Sequence, residues 1–119
     1  MTRPEDRFAK LCDDIAAFVA ARDWAKFHNP KNLAMALVGE AGELVEHFQW
    51  LTPDEADALN PASKEEAAME IADVLIYLIE LSGRLGIDPI AAAQRKLARN
   101  AVRYPVEKSF GVATKYDKI

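Results

Sequence analysis

Two glutamates stand three residues apart in GEAGELVEHFQW, residues 39–50, and a glutamate and an aspartate repeat that spacing in AAMEIADVLIYLIEL, residues 67–81. Side chains three apart on a helix share a face, so two facing antiparallel helices would bring together four carboxylates, from Glu40, Glu43, Glu70 and Asp73. An unpaired carboxylate away from water is costly or shifts its pKa strongly. Apart from His47, neither LAMALVGEAGELVEHF nor AAMEIADVLIYLIEL holds a basic side chain. A metal ion, or basic groups from the last helix, must neutralise the cluster. Ligation by oxygen alone selects Mg²⁺ or Mn²⁺ over zinc, which prefers nitrogen and sulfur. Magnesium keeps several waters and commonly binds together with phosphate oxygens. A phosphate-bearing substrate therefore completes the site, with water as the nucleophile. One E-x-x-E is common on solvated helices; two such pairs on unusually apolar helices are not. A di-iron site would require Glu-x-x-His, and here His47 follows Glu43 by four, with Leu44 in the required glutamate position.

The elements that must position these acids follow from periodicity. Phe8, Leu11, Cys12, Ile15, Phe18 and Val19 form a three/four-spaced stripe, which predicts a first helix over 5–22. Asn29-Pro30 supplies a cap and a first-turn proline for a second helix from about 30 to Trp50. TPDEADALNPA reads as a connection, and Ser63-Lys64-Glu65-Glu66 matches a capping box opening the third helix, which Gly86 closes. Asp88-Pro89 begins a fourth helix that stops before Pro105, and residues 106–119 read as an extended tail. Strand signals are weak. The expectation is an all-α four-helix bundle in a single domain over residues 1–119.

At ~100° per residue, Glu66, Glu70, Asp73, Tyr77, Glu80 and Arg84 fall within an arc of roughly 80° on the third helix. Met69, Ile71, Val74, Leu75, Ile76, Leu78, Ile79 and Leu81 spread over the rest, far more apolar surface than an ordinary amphipathic helix buries. Four helices from one chain can hardly cover it, so subunits are expected to pack as a homodimer or homotetramer. On the second helix the same winding aligns Ala36, Glu40, Glu43, His47 and Trp50. It sets Glu40 at the edge of the buried arc, near Leu33, Leu44 and Leu51.

Composition narrows the function classes. The 119 residues are half hydrophobic, enough for one packed core. A net charge of −4 opposes the footprint of a duplex nucleic-acid binder. The single cysteine, Cys12, excludes a disulfide scaffold. No run approaches the ~18 apolar residues of a membrane span, and MTRPEDRF lacks the signal-peptide pattern. A cytoplasmic protein is expected. The basic residues gather late, at Arg95, Lys96, Arg99, Arg103, Lys108, Lys115 and Lys118, while the middle of the chain is acidic. That polarity suits an anionic ligand held between a metal and a basic segment.

Taken together, RDWAKFHNPKNLAMALVGEAGELVEHFQW, EIADVLIYL and RKLARNAVRYP make the sequence resemble the MazG-like all-α nucleoside triphosphate pyrophosphohydrolases, the small dCTP pyrophosphatases in particular. E-x-x-E, 26 intervening residues and E-x-x-D is that family's metal motif, carried here by Glu40, Glu43, Glu70 and Asp73. The resemblance implies Mg²⁺-dependent attack of water on the α-phosphorus of a nucleoside triphosphate, releasing the monophosphate and pyrophosphate, in dimers or tetramers. It also implies base contacts from Trp24, Trp50 and Tyr77, and base or phosphate contacts from Lys96 and Asn100. Indole rings offer stacking faces, and the Asn100 amide both donates and accepts. Lys96, Asn100 and Arg103 recur at i, i+4 and i+7, so one helix face presents two cations and an amide. Where the family pattern has a histidine near the nucleotide, this chain has Ile15.

The expected reaction is hydrolysis of a dNTP, dCTP or a 5-modified dCTP. The four acids hold Mg²⁺, one of them, Glu43, takes a proton from water, and Lys96, Arg103 and Lys115 offset charge on the leaving pyrophosphate. His28 and His47 read as interior or rim histidines rather than ligands. The rival readings are a non-catalytic oligomeric helical interaction module and a nucleotide sensor. Neither calls for four acids gathered in an interior.

Overall fold

The computed structural model of the chain describes residues 4–119, with side-chain surroundings from residue 7. The first three residues of MTRPEDRF therefore lie outside the described part. The chain forms α1 (Pro4–Ala21), a 3₁₀ turn (Ala25–Phe27), α2 (Pro30–Glu46), α3 (Pro53–Asp57), α4 (Pro61–Arg84), α5 (Pro89–Arg103), α6 (Val106–Ser109) and a second 3₁₀ turn (Tyr116–Lys118). Among the described residues there is no strand, so the architecture is all-α as expected.

Four helices open on one chemical device, a polar cap followed by proline: Asn29-Pro30, Thr52-Pro53, Asn60-Pro61 and Asp88-Pro89. The cap oxygen accepts an otherwise unpaired amide of the first turn, and proline loses nothing where no helical bond is required. Asn29 Oδ1 accepts from the Asn32 amide at 2.9 Å, and Asn60 Oδ1 from the Ser63 amide at 2.8 Å. The second bond corrects the expected start of the third helix. Ser63 lies within the first turn of α4, which begins at Pro61. The capping box is instead Thr52 with Glu55, so the expected connection contains the short helix α3.

Two further boundaries differ from expectation. α2 ends at Glu46, short of Trp50, because the His47 and Phe48 amides bond three residues back, to Leu44 and Val45, tightening the chain out of α-helical register. The segment after Pro105 is not extended throughout, since it contains α6 and the second 3₁₀ turn. Gly86 closes α4 as expected, with φ +67 and its amide on Gly83 O.

α1 closes with the Asp23 amide on Ala20 O and the Trp24 amide on Val19 O, both at 3.1 Å. This is the Schellman arrangement, whose left-handed residue is usually glycine. Here it is Asp23, at φ 55. The closure fixes where Trp24 leaves the helix, and its indole meets Phe18 edge to face at 5.8 Å.

The chain clusters into two compact units dividing after Gly86. In the first, α2 packs along α4, and α1 packs against α4 less extensively. The α2/α4 pair is antiparallel: His28, just before α2, meets Glu80 late in α4, while His47, just after α2, lies near Glu66 and Glu70 early in α4. Ile15, Leu33, Ala67 and Ile79 form the buried apolar core, with Leu33 only 1% exposed. Burying such a leucine contributes about 1.5–3 kcal/mol. Ile71, Leu75 and Leu78 of α4 stay exposed, as do Met35, Val38 and Val45 of α2. In the second unit Tyr116 lies edge to face on Tyr104 at 5.9 Å and under the Arg103 guanidinium at 4.7 Å, fastening the C-terminal segment to the end of α5. Among the described residues no helix is long and apolar enough to cross a membrane.

Candidate metal centre and adjoining cavity

Because α2 and α4 run antiparallel with their acid-bearing faces together, Glu40, Glu43 and Glu70 each bring a carboxylate oxygen within 4.8 Å of the others. Glu40 Oε2 and Glu70 Oε2 are buried without a hydrogen-bond partner. A buried oxygen left unpaired loses its hydration without compensation. The Glu40 carboxyl is pushed up to about 7, first by burial, then by the charge and hydrogen bond of Glu43, and then by the charges of Asp73 and Glu70. Like charges this close cannot all ionise cheaply. Three converging carboxylates, two with unpartnered oxygens, have the donor chemistry of a hard divalent cation site. The group therefore fits Mg²⁺ or Mn²⁺.

Asp73 stands outside that trio. One turn beyond Glu70, it lines an adjoining cavity together with Glu40, so Glu40 borders both the acid cluster and the cavity. The cavity encloses about 370 Å³, toward the small end of ligand pockets. Ile15, Phe18, Val19 and Ile76 give it apolar walls, Trp24 and Tyr77 add aromatic rings, and Asp14, His28 and Glu80 complete the lining. Burial raises the Tyr77 phenol above its ordinary range, with Glu40, Glu80 and Asp73 adding to the shift. The phenol thus feels acids on both sides.

Trp50 is 86% exposed, beyond the end of α2, and does not line the cavity. Lys96, Asn100 and Arg103 lie on α5 and Lys115 precedes the second 3₁₀ turn, all within the second unit. There Arg103 is already stacked on Tyr116. His28, Glu80 and His47 received no site role from the sequence. His28 Nδ1 lies 3.0 Å from Glu80 Oε1 on the cavity wall. Glu80 shares its helix arc with Glu70, Asp73 and Tyr77, and that periodicity was the available signal. His47 Nε2 lies 3.6 Å from Glu70 Oε1, near a candidate ligand rather than among the ligands.

The pattern of the MazG-like family matches residues 36–119. The chain is 48% identical over 103 residues to dCTP pyrophosphatase 1 of Mus musculus, covering 85% of this chain and 61% of that protein. Against dCTP pyrophosphatase 1 of Homo sapiens it is 43% identical over 106 residues, covering 87% and 62%. The chain thus spans about three-fifths of the length of these curated relatives. The crystal structure of a pyrophosphatase from Archaeoglobus fulgidus superposes with a TM-score of 0.80 at 40% identity, covering 88% of this chain and 98% of that one.

Proposed function

Since this chain belongs to the MazG-like family, we propose that it is a Mg²⁺-dependent nucleoside triphosphate pyrophosphohydrolase. Its substrate on this reading is a dNTP, dCTP or a 5-modified dCTP, cleaved by water at the α-phosphorus to the monophosphate and pyrophosphate. The observation that carries the proposal is the trio Glu40, Glu43 and Glu70, with two orphaned oxygens, opening beside a nucleoside-sized cavity. The names of the mammalian relatives and of the archaeal structure support the same reaction class.

On this reading Glu40, Glu43 and Glu70 hold the cation, with Asp73 completing the set from the cavity side. A divalent ion there would polarise the phosphoryl group and lower the pKa of water. Glu43, the most exposed of the three, accepts the proton of the attacking water. Trp24 and Tyr77 bracket the base across the cavity, where an aromatic face contributes about 1–3 kcal/mol by stacking. We propose from the sequence pattern that Trp50, Lys96, Asn100, Arg103 and Lys115 contact the nucleotide, the cations offsetting charge on the leaving group. The exposed face of Ile71, Leu75 and Leu78 supports a homodimer or homotetramer, which light scattering would reveal.

The decisive experiment supplies the chain with Mg²⁺ and a panel of canonical and 5-substituted dNTPs, assaying pyrophosphate and orthophosphate separately. Pyrophosphate with the nucleoside monophosphate is the expected product. Direct release of orthophosphate would overturn the proposed site of attack. Tight dNTP binding without turnover would favour a sensor instead.

A further inference from the structure

We propose that Glu80, oriented by His28, reads the edge of the nucleobase and selects bases that present an amino group over those that present a carbonyl. The proposal rests on the nucleotide reading above and assigns a role to two residues that reading does not use. Glu80 comes from late in α4 and His28 from the approach to α2, and their side chains are 11% and 22% exposed. A carboxylate has no proton to give, so the 3.0 Å contact has His28 Nδ1–H donating to Glu80 Oε1. With its hydrogen on Nδ1, a neutral imidazole leaves Nε2 as an acceptor. The pair is therefore a patch of acceptors beside the apolar Ile15, Phe18, Val19 and Ile76, while the other carboxylate of the lining away from the acid cluster, Asp14, is paired with Lys10 at 2.8 Å.

Position decides what such a patch meets. The acid trio lies at the Glu40 end of the cavity, and Glu80 lies farther along α4. The helical rise from Asp73 to Glu80 is about 10 Å, the reach of a nucleoside from its 5′-oxygen to the far edge of its base. A nucleotide whose α-phosphate lies at Asp73, beside the trio, thus brings its base edge to Glu80, between the rings of Trp24 and Tyr77. Cytosine presents an exocyclic N4 amino donor there, whereas uracil and thymine present the O4 acceptor. Carboxylate against O4 sets two acceptors together in a confined site. A site built to pair one polar group rejects the analogue that lacks it far more strongly than an apolar pocket can.

The test uses the full chain with Mg²⁺ and compares kcat/KM for dCTP and dUTP. The wild type is expected to prefer dCTP by about 100-fold or more. Glu80→Gln replaces a pure acceptor with a group that also donates, and the ratio is expected to fall at least about tenfold. Any smaller fall overturns the inference while leaving the pyrophosphohydrolase reading intact. His28→Ala covers the case in which Glu80→Gln does not fold: loss of orientation should shrink the same ratio, and an unchanged ratio counts against the pair. If the wild type hydrolyses no dNTP, the reaction reading fails by itself. Calorimetric binding of dCMP against dUMP then decides the base preference, equal affinities overturning it.

Discussion

His47, one residue past the end of α2, sets its Nε2 3.6 Å from Oε1 of Glu70 on α4. Its Nδ1 lies 3.8 Å from Glu66 Oε2. Both separations exceed a hydrogen bond, so any influence of the imidazole on the Glu70 carboxylate is one of proximity and charge rather than of a direct bond. Groups that orient a metal ligand typically change affinity by about 10–100-fold when removed, and these long contacts place His47 at the low end. His47→Ala is expected to raise the Mg²⁺ concentration for half-maximal activity about tenfold, with kcat recovered at saturating Mg²⁺. An unmoved Mg²⁺ midpoint would show that the two side chains are only neighbours.

The Glu40 carboxyl yields a pH signature. Its ordinary value is 4.5, and in the folded chain it is pushed up to about 7, first by burial. A raised folded value means that this group's contribution to stability is complete below about 4.5 and is lost as pH rises to about 7. Without metal, the melting temperature of wild type relative to Glu40→Gln should therefore fall as pH rises across that window. Added Mg²⁺ binds the ionised form and displaces its proton. Stabilisation by Mg²⁺ should grow with pH in the wild type and be largely absent in Glu40→Gln. Parallel melting curves for the two proteins between pH 4.5 and 7 would contradict this account.

A third expectation concerns stability alone. Asp23 holds the left-handed conformation that closes α1, where a side chain costs roughly 1–2 kcal/mol. Asp23→Gly removes that cost and gives up only the exposed 2.9 Å contact with Lys26, itself worth little. Asp23→Val places a branched β-carbon in the same conformation. Denaturant titration should find the glycine variant at least as stable as wild type and the valine variant less stable by about 1–2 kcal/mol. Equal loss in both would mean that the aspartate side chain, not the backbone, does the stabilising.

The residues that define helix starts were legible where a cap and a proline are adjacent, as at Asn29-Pro30 and Asp88-Pro89. The same signal at Asn60-Pro61 was obscured by the Ser-x-x-Glu pattern three residues later, which satisfies the capping-box spacing without serving as the cap. The acid pairs were legible because spacing of three puts them on one face and the apolar surroundings mark that face as inward. Convergence of Glu40, Glu43 and Glu70, with Asp73 set apart toward the cavity, depends on the axial offset of α2 against α4, which periodicity does not contain. His28 and Glu80 are separated by 52 positions. Nothing local to either residue announces the other, since only the antiparallel docking of two helices brings them together.

The single unbroken course of α4 from Pro61 to Arg84 makes it a ruler as well as a wall. Glu70, Asp73, Tyr77 and Glu80 are graduations on one rigid rod, so the separation between the acid cluster and Glu80 along α4 is set by helical pitch, not by loop conformation. Slipping one extra residue into the rod between Tyr77 and Glu80 would swing Glu80 about 100° around the axis and leave Glu70, Asp73 and Tyr77 unmoved relative to one another.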